Sequence, residues 1–147
     1  MQTTLLAPSW KNSETGRYYI AISKQAKQVV YDALPDFNKV SSKGASYIIA
    51  TYKKGLSGCG KEKEYVDEIK DGWGSYDLGL QSAYLCLAAK DNGFDTLIMG
   101  LKDNKVLRDY FKIPEDEDIM PVIAIGKANG DLKLNPRKTI EEISTIK

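Results

Sequence analysis

The first stretch of this chain whose side chains are suited to chemistry is PSWKNSETG, residues 8–16. Proline, serine, asparagine and glycine dominate ordered turns, and here they occur together. The side chains of Ser9 and Asn12 can form hydrogen bonds with the backbone or with a ligand. These residues alone leave two interpretations open, a ligand-binding turn and a plain turn that leads into a strand.

Histidine is absent from the sequence. Its absence removes the usual general base, the Ser–His and Cys–His nucleophile pairs and most kinds of zinc site. An enzyme without these groups carries its chemistry on something other than side-chain proton transfer, and a bound organic cofactor is the natural candidate. We therefore expect no catalytic side chain and no metal site.

Two cysteines and an acidic segment are the remaining candidates for reactive groups. Cys59 lies between glycines in a loop and Cys86 lies in an apolar helix, so their settings differ too much to suggest a disulfide. Only the charge of Lys61 is placed to activate the Cys59 thiol, which argues against a nucleophile there. Residues 115–118 are acidic but lack the alternate spacing and glycine of a calcium loop, so we expect them to be solvated.

The composition is that of an ordinary globular chain, with an apolar content of 42% and a net charge of +1. This charge gives no electrostatic reason to expect a nucleic-acid partner, and no stripe of basic residues occurs. No run reaches the length of a membrane span, and the first residues lack the positive start and long apolar stretch of a signal peptide. We expect no membrane partner and a cytoplasmic location.

The segment around which the rest of the chain is arranged is a predicted helix over residues 75–90. Apolar or small residues lie on every side of it, which predicts burial all round, either as a core element or at a subunit interface. Ser75 is placed to cap this helix, and Asn92-Gly93 stops it. A short apolar strand over residues 94–99 follows directly and ends at Gly100.

The N-terminal element and a long loop carry further signals of organisation. Residues 2–7 have a helical composition, but Pro8 limits the helix to about five residues, so it resembles the last turn of a helix whose beginning is missing. We expect one domain over residues 1–147 with an incomplete first helix. Residues 53–74 interleave glycine with charged residues, which is typical of a lid or site rim; the alternative is a surface excursion with a short helix around 62–69.

The other elements alternate between strands and helices. Aromatic and β-branched runs predict the strands, and one-sided apolar spacing with capping residues predicts the helices. This alternation by itself indicates an α/β sandwich. The predicted strands are 17–23, 45–52 and 119–126, the helices are 24–34 and a short one capped by Asp103, and loops lie around Pro35 and Asn38 and over 127–136, before a tail of uncertain type.

Three segments, taken in order, resemble a known family. They are the Ala-Pro-Ser-x-x-Asn turn at residues 7–12, the Leu-Ala-Ala-x-x-x-Gly helix end at 87–93 before a strand that closes on Ile98-Met99-Gly100, and the Ile-Ala-Ile-Gly strand at 123–126 followed by Arg137-Lys138. On these segments the chain resembles the nitroreductase-like FMN-dependent flavoproteins, as an N-terminally shortened member. The resemblance implies an α+β fold with a mixed, largely antiparallel sheet flanked by helices. It also implies that the long buried central helix lies at the interface of a homodimer.

The resemblance further implies an activity and its cofactor. Members of this family use bound FMN to pass hydride from NADH or NADPH to a nitroaromatic, a quinone or a similar small-molecule electron acceptor. The chemistry then resides in the flavin, in agreement with the absence of histidine from this sequence.

The same resemblance implies three groups of flavin-binding residues. Ser9 and Asn12 match a turn that meets the flavin pyrimidine edge, often from the partner subunit, and Lys11 adds positive charge there, which favours the reduced flavin. Ile98, Met99 and Gly100 match the strand end whose backbone approaches the flavin N5 and O4 region. The basic position that binds the flavin phosphate is matched by Arg137, with Lys138 beside it.

One part of the family pattern is missing. Family members usually carry an Arg-x-Ser-x-Arg-like segment near the first helix, which grips the flavin phosphate and ribityl chain, and each such hydrogen bond contributes about 1.5 to 3 kcal/mol. The alternative is therefore a shortened, non-catalytic dimeric relative with weak or no flavin binding. A parallel doubly wound regulatory domain also fits the alternation, but it leaves the apolar central helix unexplained.

Overall fold

A four-stranded antiparallel sheet in the order β1-β2-β4-β3 organises the chain in a computed structural model, which describes residues 1–130 and 135–147. Every pair of neighbouring strands in this sheet is antiparallel. The expected α+β fold is therefore confirmed, and the parallel doubly wound alternative is wrong. Alternation along the sequence suggested an α/β sandwich because strand composition does not reveal strand direction. The strands are β1 (Gly16–Ala21), β2 (Ser46–Lys53), β3 (Asp95–Met99) and β4 (Glu117–Gly126).

Five α-helices and two short 3₁₀ helices connect or flank these strands within the described residues. The longest, α3, runs between β2 and β3 and spans 20 residues. The 3₁₀ helices are Gln2–Leu6 and Trp10–Asn12, and the α-helices are α1 (Lys24–Asp32), α2 (Asp36–Ser41), α3 (Gly72–Asp91), α4 (Asn104–Phe111) and α5 (Ile140–Ile143).

Both faces of the sheet are covered. On one face, Val30 of α1 and Leu107 of α4 are fully buried against β2 and β4. On the other face, Leu78 and Leu85 of α3 pack on the same two strands. Strand β2 is central and covered on both sides, which explains why its interior reads as one continuous apolar run.

The long helix α3 is confirmed, but its start and its burial differ from the prediction. It begins at Gly72, so Ser75 lies inside the first turn and does not cap it. Its sheet-facing side is buried, whereas Tyr76 and Leu87 on the opposite side are 60% and 71% exposed. Burial all round is therefore wrong for a single chain, and an apolar side of α3 is left uncovered.

Three local expectations are corrected. Residues around Pro35 form α2 rather than a loop, because proline is tolerated just before the first helical turn. The short helix around 62–69, which belonged to the surface-excursion alternative, is absent, and that segment forms turns and a bridge between Cys59 and Tyr65. Glu117 is not solvated; it is buried at the start of β4, where its carboxylate accepts hydrogen bonds from Tyr19 and Thr51.

Two expectations about the ends of elements can also be compared. Asp103 caps α4 as predicted, because its carboxylate accepts a hydrogen bond from the Val106 backbone amide at 3.1 Å. Of the loop predicted over 127–136, residues 131–134 lie outside the described residues. None of the helices in the described residues is long and apolar enough to span a membrane.

Candidate functional site

A pocket of about 470 Å³ lies where the end of β3 faces α3. The α3 side contributes Ser75, Leu78 and three small residues, Gly79, Ser82 and Ala83, and the β3 side contributes Ile98 and Gly100. Its volume falls within the range of small-molecule sites in proteins. Lys102, Met120 and Pro121 are among the residues that complete the wall.

The glycines keep the two sides of this pocket open. A Cβ atom added at Gly79 or at Gly100 would meet no atom within 4 Å. Side chains alternate along a strand, so Ile98 faces the pocket while Met99 belongs to the core on the other face of the sheet. The space between α3 and the end of β3 can therefore admit a flat molecule.

Three polar side chains, Ser75, Ser82 and Lys102, line this otherwise apolar pocket. Ser82 is only 6% exposed, and its hydroxyl has no hydrogen-bond partner among the described residues. A buried hydroxyl without a partner costs free energy, so it can gain from a ligand atom placed beside it. The ammonium group of Lys102 donates a hydrogen bond to the Gly100 carbonyl at 3.0 Å, and burial lowers the pKa of Lys102 from its ordinary value.

The turn around Trp10 is tied to the first half of α3 rather than to the pocket. Both carboxylate oxygens of Asp77 accept a hydrogen bond from the Trp10 backbone amide at 3.1 Å, and one also accepts from the Ser57 hydroxyl at 2.6 Å. The Trp10 ring packs on Trp73, with 4.8 Å between the ring centroids. Asp77 thus fixes the turn to the face of α3 that looks toward the loop after β2.

The three residues expected to bind flavin from this turn have partners within the chain. The Ser9 hydroxyl accepts a hydrogen bond from the Glu14 amide at 3.1 Å, and the Asn12 side chain donates one to the Glu14 carboxylate at 3.0 Å. Lys11 donates to the Cys59 carbonyl at 3.3 Å. None of the three lines the pocket.

The basic pair Arg137 and Lys138 lies in the exposed segment before α5 and does not line the pocket either. The structure therefore brings Ile98 and Gly100 together with Ser82 and Lys102, and it does not join them to the turn or to the basic pair within one chain. Sequence reasoning named neither Lys102 nor Ser82 as a candidate site residue. The available signals were a serine in an apolar helix and a lysine two residues after a strand-ending glycine.

The cysteines do not contribute to the pocket lining. Both are free thiols, with Cys59 buried beneath the turn and Cys86 half-buried on α3. Within residues 1–130 and 135–147, no three metal-ligating side chains come close enough to hold an ion. Within those residues, neither the thiols nor a metal-binding cluster therefore competes with the pocket as a candidate site.

Comparison with known proteins gives a match at the level of fold. No family model matches this sequence, and no curated protein is significantly similar to it. A solved protein from Exiguobacterium sibiricum, assigned as a nitroreductase in complex with FMN, superposes with a TM-score of 0.83 at 22% identity, over 99% of this chain and 83% of that one. The chain has the nitroreductase fold.

Other solved structures with the nitroreductase fold give the same result. A nitroreductase family protein from Streptococcus pneumoniae has a TM-score of 0.83 at 17% identity, over 99% of this chain and 86% of that one. A Staphylococcus epidermidis protein assigned as an NAD(P)H:FMN oxidoreductase has a TM-score of 0.80 at 19% identity, over 99% of this chain and 81% of that one. At these identities the likeness establishes the nitroreductase fold and not an activity.

Proposed function

We propose that this protein is a homodimeric FMN-dependent oxidoreductase that passes hydride from NADH or NADPH to a nitroaromatic, a quinone or a similar small acceptor. The observation that carries the proposal is the open pocket between α3 and the end of β3 in a chain with the nitroreductase fold. Solved proteins of that fold include one in complex with FMN and one assigned as an NAD(P)H:FMN oxidoreductase.

The residues of the pocket fit a flavin ring. Leu78 and small residues of α3 form a largely apolar floor, and Gly100 lets a ring approach the backbone at the end of β3. The unpartnered Ser82 hydroxyl is buried in the pocket wall, and it would donate a hydrogen bond to a ring heteroatom once its side chain turns toward the ring. Bound FMN would supply the hydride chemistry, which amino-acid side chains do not supply by themselves.

A second subunit explains why the expected flavin-binding residues do not meet in one chain. In the proposed homodimer, Ser9, Lys11 and Asn12 of one subunit approach the flavin pyrimidine edge in the pocket of the other. Arg137 and Lys138 bind the flavin phosphate, as fits exposed basic side chains. The uncovered apolar side of α3 supports a dimer, because contiguous exposed apolar surface marks interaction sites.

Steady-state kinetics test this function. The purified protein is incubated with FMN, with NADH or NADPH, and with either a quinone or a nitroaromatic acceptor. We expect the reduced nicotinamide to be oxidised only when both FMN and an acceptor are present. Double-reciprocal plots should be parallel, because two successive half-reactions take place at one site. Tight FMN binding without such turnover would contradict the activity, and dimerisation without FMN binding would favour the non-catalytic relative. The expected cytoplasmic location stays a prediction.

A further inference from the structure

Ser82 and Lys102 are two of the three polar side chains that line the pocket; the third, Ser75, already has the Met120 sulfur as a partner for its hydroxyl at 4.0 Å. The first two approach the pocket from different elements, Ser82 from α3 and Lys102 from the segment between β3 and α4. Among the described residues that line the pocket, Lys102 is the one with a formal charge. A molecule lying between α3 and Ile98 would therefore lie near the Lys102 ammonium group, with the unpartnered Ser82 hydroxyl buried in the α3 side of the pocket wall.

The position of Lys102 is fixed by its own chain. Its ammonium group donates to the Gly100 carbonyl at 3.0 Å, which holds the charge beside the strand end that lines the pocket. The side chain is only partly exposed, and burial lowers its pKa because desolvation disfavours the charged form. A charge at such a site interacts more strongly with a neighbouring charge than it would in water, because the effective dielectric constant is lower.

We propose that Lys102 and Ser82 set the redox behaviour of a flavin bound in this pocket, a role that rests on the proposed function. Hydride transfer from a reduced nicotinamide gives the ring two electrons and one proton, so an initially neutral ring gains one negative charge. Lys102 stabilises that charge electrostatically, and Ser82 donates a hydrogen bond that helps to hold the ring in both redox states. Both are positioning residues.

The midpoint potential of bound FMN tests the role of Lys102. Reductive titration of Lys102→Met is expected to show a lower potential than the wild type, equivalent to a roughly tenfold loss of preference for reduced over oxidised FMN, or about 30 mV for a two-electron couple. Lys102→Arg should retain most of the wild-type potential because it keeps the charge. Lys105→Met is the matched control, since Lys105 lies on the exposed side of α4 and pairs with Asp109.

Two readouts together test the role of Ser82. Ser82→Ala is expected to weaken FMN binding by roughly tenfold, the value of one net hydrogen bond. The melting temperature of the FMN-free protein should stay the same or rise, because the substitution removes a buried hydroxyl without a partner among the described residues. A merely structural serine would lower that temperature, and Ser41→Ala on α2 is the control for an exposed serine.

The outcomes separate this inference from the proposed function. If the wild type binds no FMN, the proposed function is overturned and the inference with it. If the wild type binds FMN but Lys102→Met has the wild-type potential, only the inference is overturned. If Lys102→Met loses affinity for oxidised FMN by more than about tenfold, Lys102 anchors the cofactor and its proposed redox role is wrong.

Discussion

Asp77 is the residue that links the turn around Trp10 to the central helix. Its carboxylate is almost fully buried and accepts hydrogen bonds from the Trp10 amide and the Ser57 hydroxyl. A buried carboxylate needs such donors, because burying an unpaired charge is costly. Asp77, together with the packing of Trp10 on Trp73, therefore sets the position of the turn relative to α3.

Substitution of Asp77 by asparagine should destabilise the protein. The amide group of Asp77→Asn would bring N–H donors toward the donors of Trp10 and Ser57, so we expect a loss of about 2 kcal/mol in the free energy of unfolding. Urea denaturation at equal protein concentrations measures it. Asp91→Asn, at the exposed end of the same helix, should change the free energy by less than about 0.5 kcal/mol. Equal effects of the two substitutions would contradict the role of Asp77 in holding the turn around Trp10 against α3.

The ionisation of Tyr19 is expected to make the free energy of unfolding depend on pH. Burial, and then its hydrogen bond to Glu117, raise the pKa of Tyr19 from 10.0 to about 12. The folded state favours the neutral phenol, so its contribution to stability is complete below pH 10 and is lost as the pH rises toward 12.

The substitution Tyr19→Phe should make the decline in stability over this alkaline range smaller. Phenolate absorbance is measured as a function of pH for the wild type and for Tyr19→Phe. The difference between the two curves gives the titration of Tyr19 alone. A difference that titrates at the ordinary value would show that the Tyr19 hydroxyl is neither buried nor bonded to Glu117.

At the residue level, the sequence predicted part of the candidate site. Ile98 and Gly100 were expected to form one flavin wall, and the structure places them on a pocket, although flavin binding there stays a proposal. Glu117 was missed because an acidic run predicts solvation, whereas hydroxyl donors from two other strands make its burial tolerable. Lys102 was missed because partial burial of a lysine depends on packing between distant segments.

The exposed side of α3 is the element on which the dimer proposal depends. Ala83 lies on that side, and a second copy packed there would bury Leu87 and Tyr76 as well. Small residues on a helix allow a neighbouring backbone to approach closely. This arrangement would account for a helix that is apolar on both of its sides.

Ala83→Arg should convert the dimer into a monomer, because it places a charge in an apolar interface. Circular dichroism should remain unchanged, since Ala83 is exposed in the single chain. Size-exclusion chromatography with light scattering measures the change in mass. Gln25→Arg, on the exposed side of α1, is the control and should remain dimeric. A dimeric Ala83→Arg protein would place the interface elsewhere.

The cap of α4 holds the segment that carries Lys102. Asp103 accepts a hydrogen bond from the Val106 amide, and its own amide donates to the Ala33 carbonyl at 2.8 Å. Asp103→Ala should lower the free energy of unfolding by about 1 kcal/mol, as expected for an N-cap. Denaturation with Asn104→Ala as the exposed neighbour tests this, and equal values for the two variants would contradict the cap.

Elements with strong local signals were predicted well, and those decided by tertiary contacts were not. All four strands lie within two residues of their predicted bounds, because runs of aromatic and β-branched residues also pack well in a sheet. The start of α3 was misplaced because Gly72 and Gly74 have low helix propensity, and contacts of Trp73 with Trp10 and Asp67 compensate for it.

The whole molecule consists of an antiparallel sheet with helices on both faces, and its pocket lies between the long helix α3 and the end of β3. The resemblance in three short segments predicted the α+β fold, and solved structures at 14–22% identity confirm it. Sequence alone did not predict which expected site residues would meet in one chain, because that depends on how segments far apart in sequence pack. The proposed second subunit is what would bring the turn and the pocket together.

Titration of FMN into the purified wild-type protein, followed by visible absorbance and gel filtration, tests the central claim most directly. The account predicts a shift of the flavin spectrum that saturates at equimolar FMN, with the flavin retained on the column. Gly100→Leu should abolish both effects, because its side chain would fill the open space beside β3. A wild-type protein that gives no spectral shift and elutes without flavin would contradict the account.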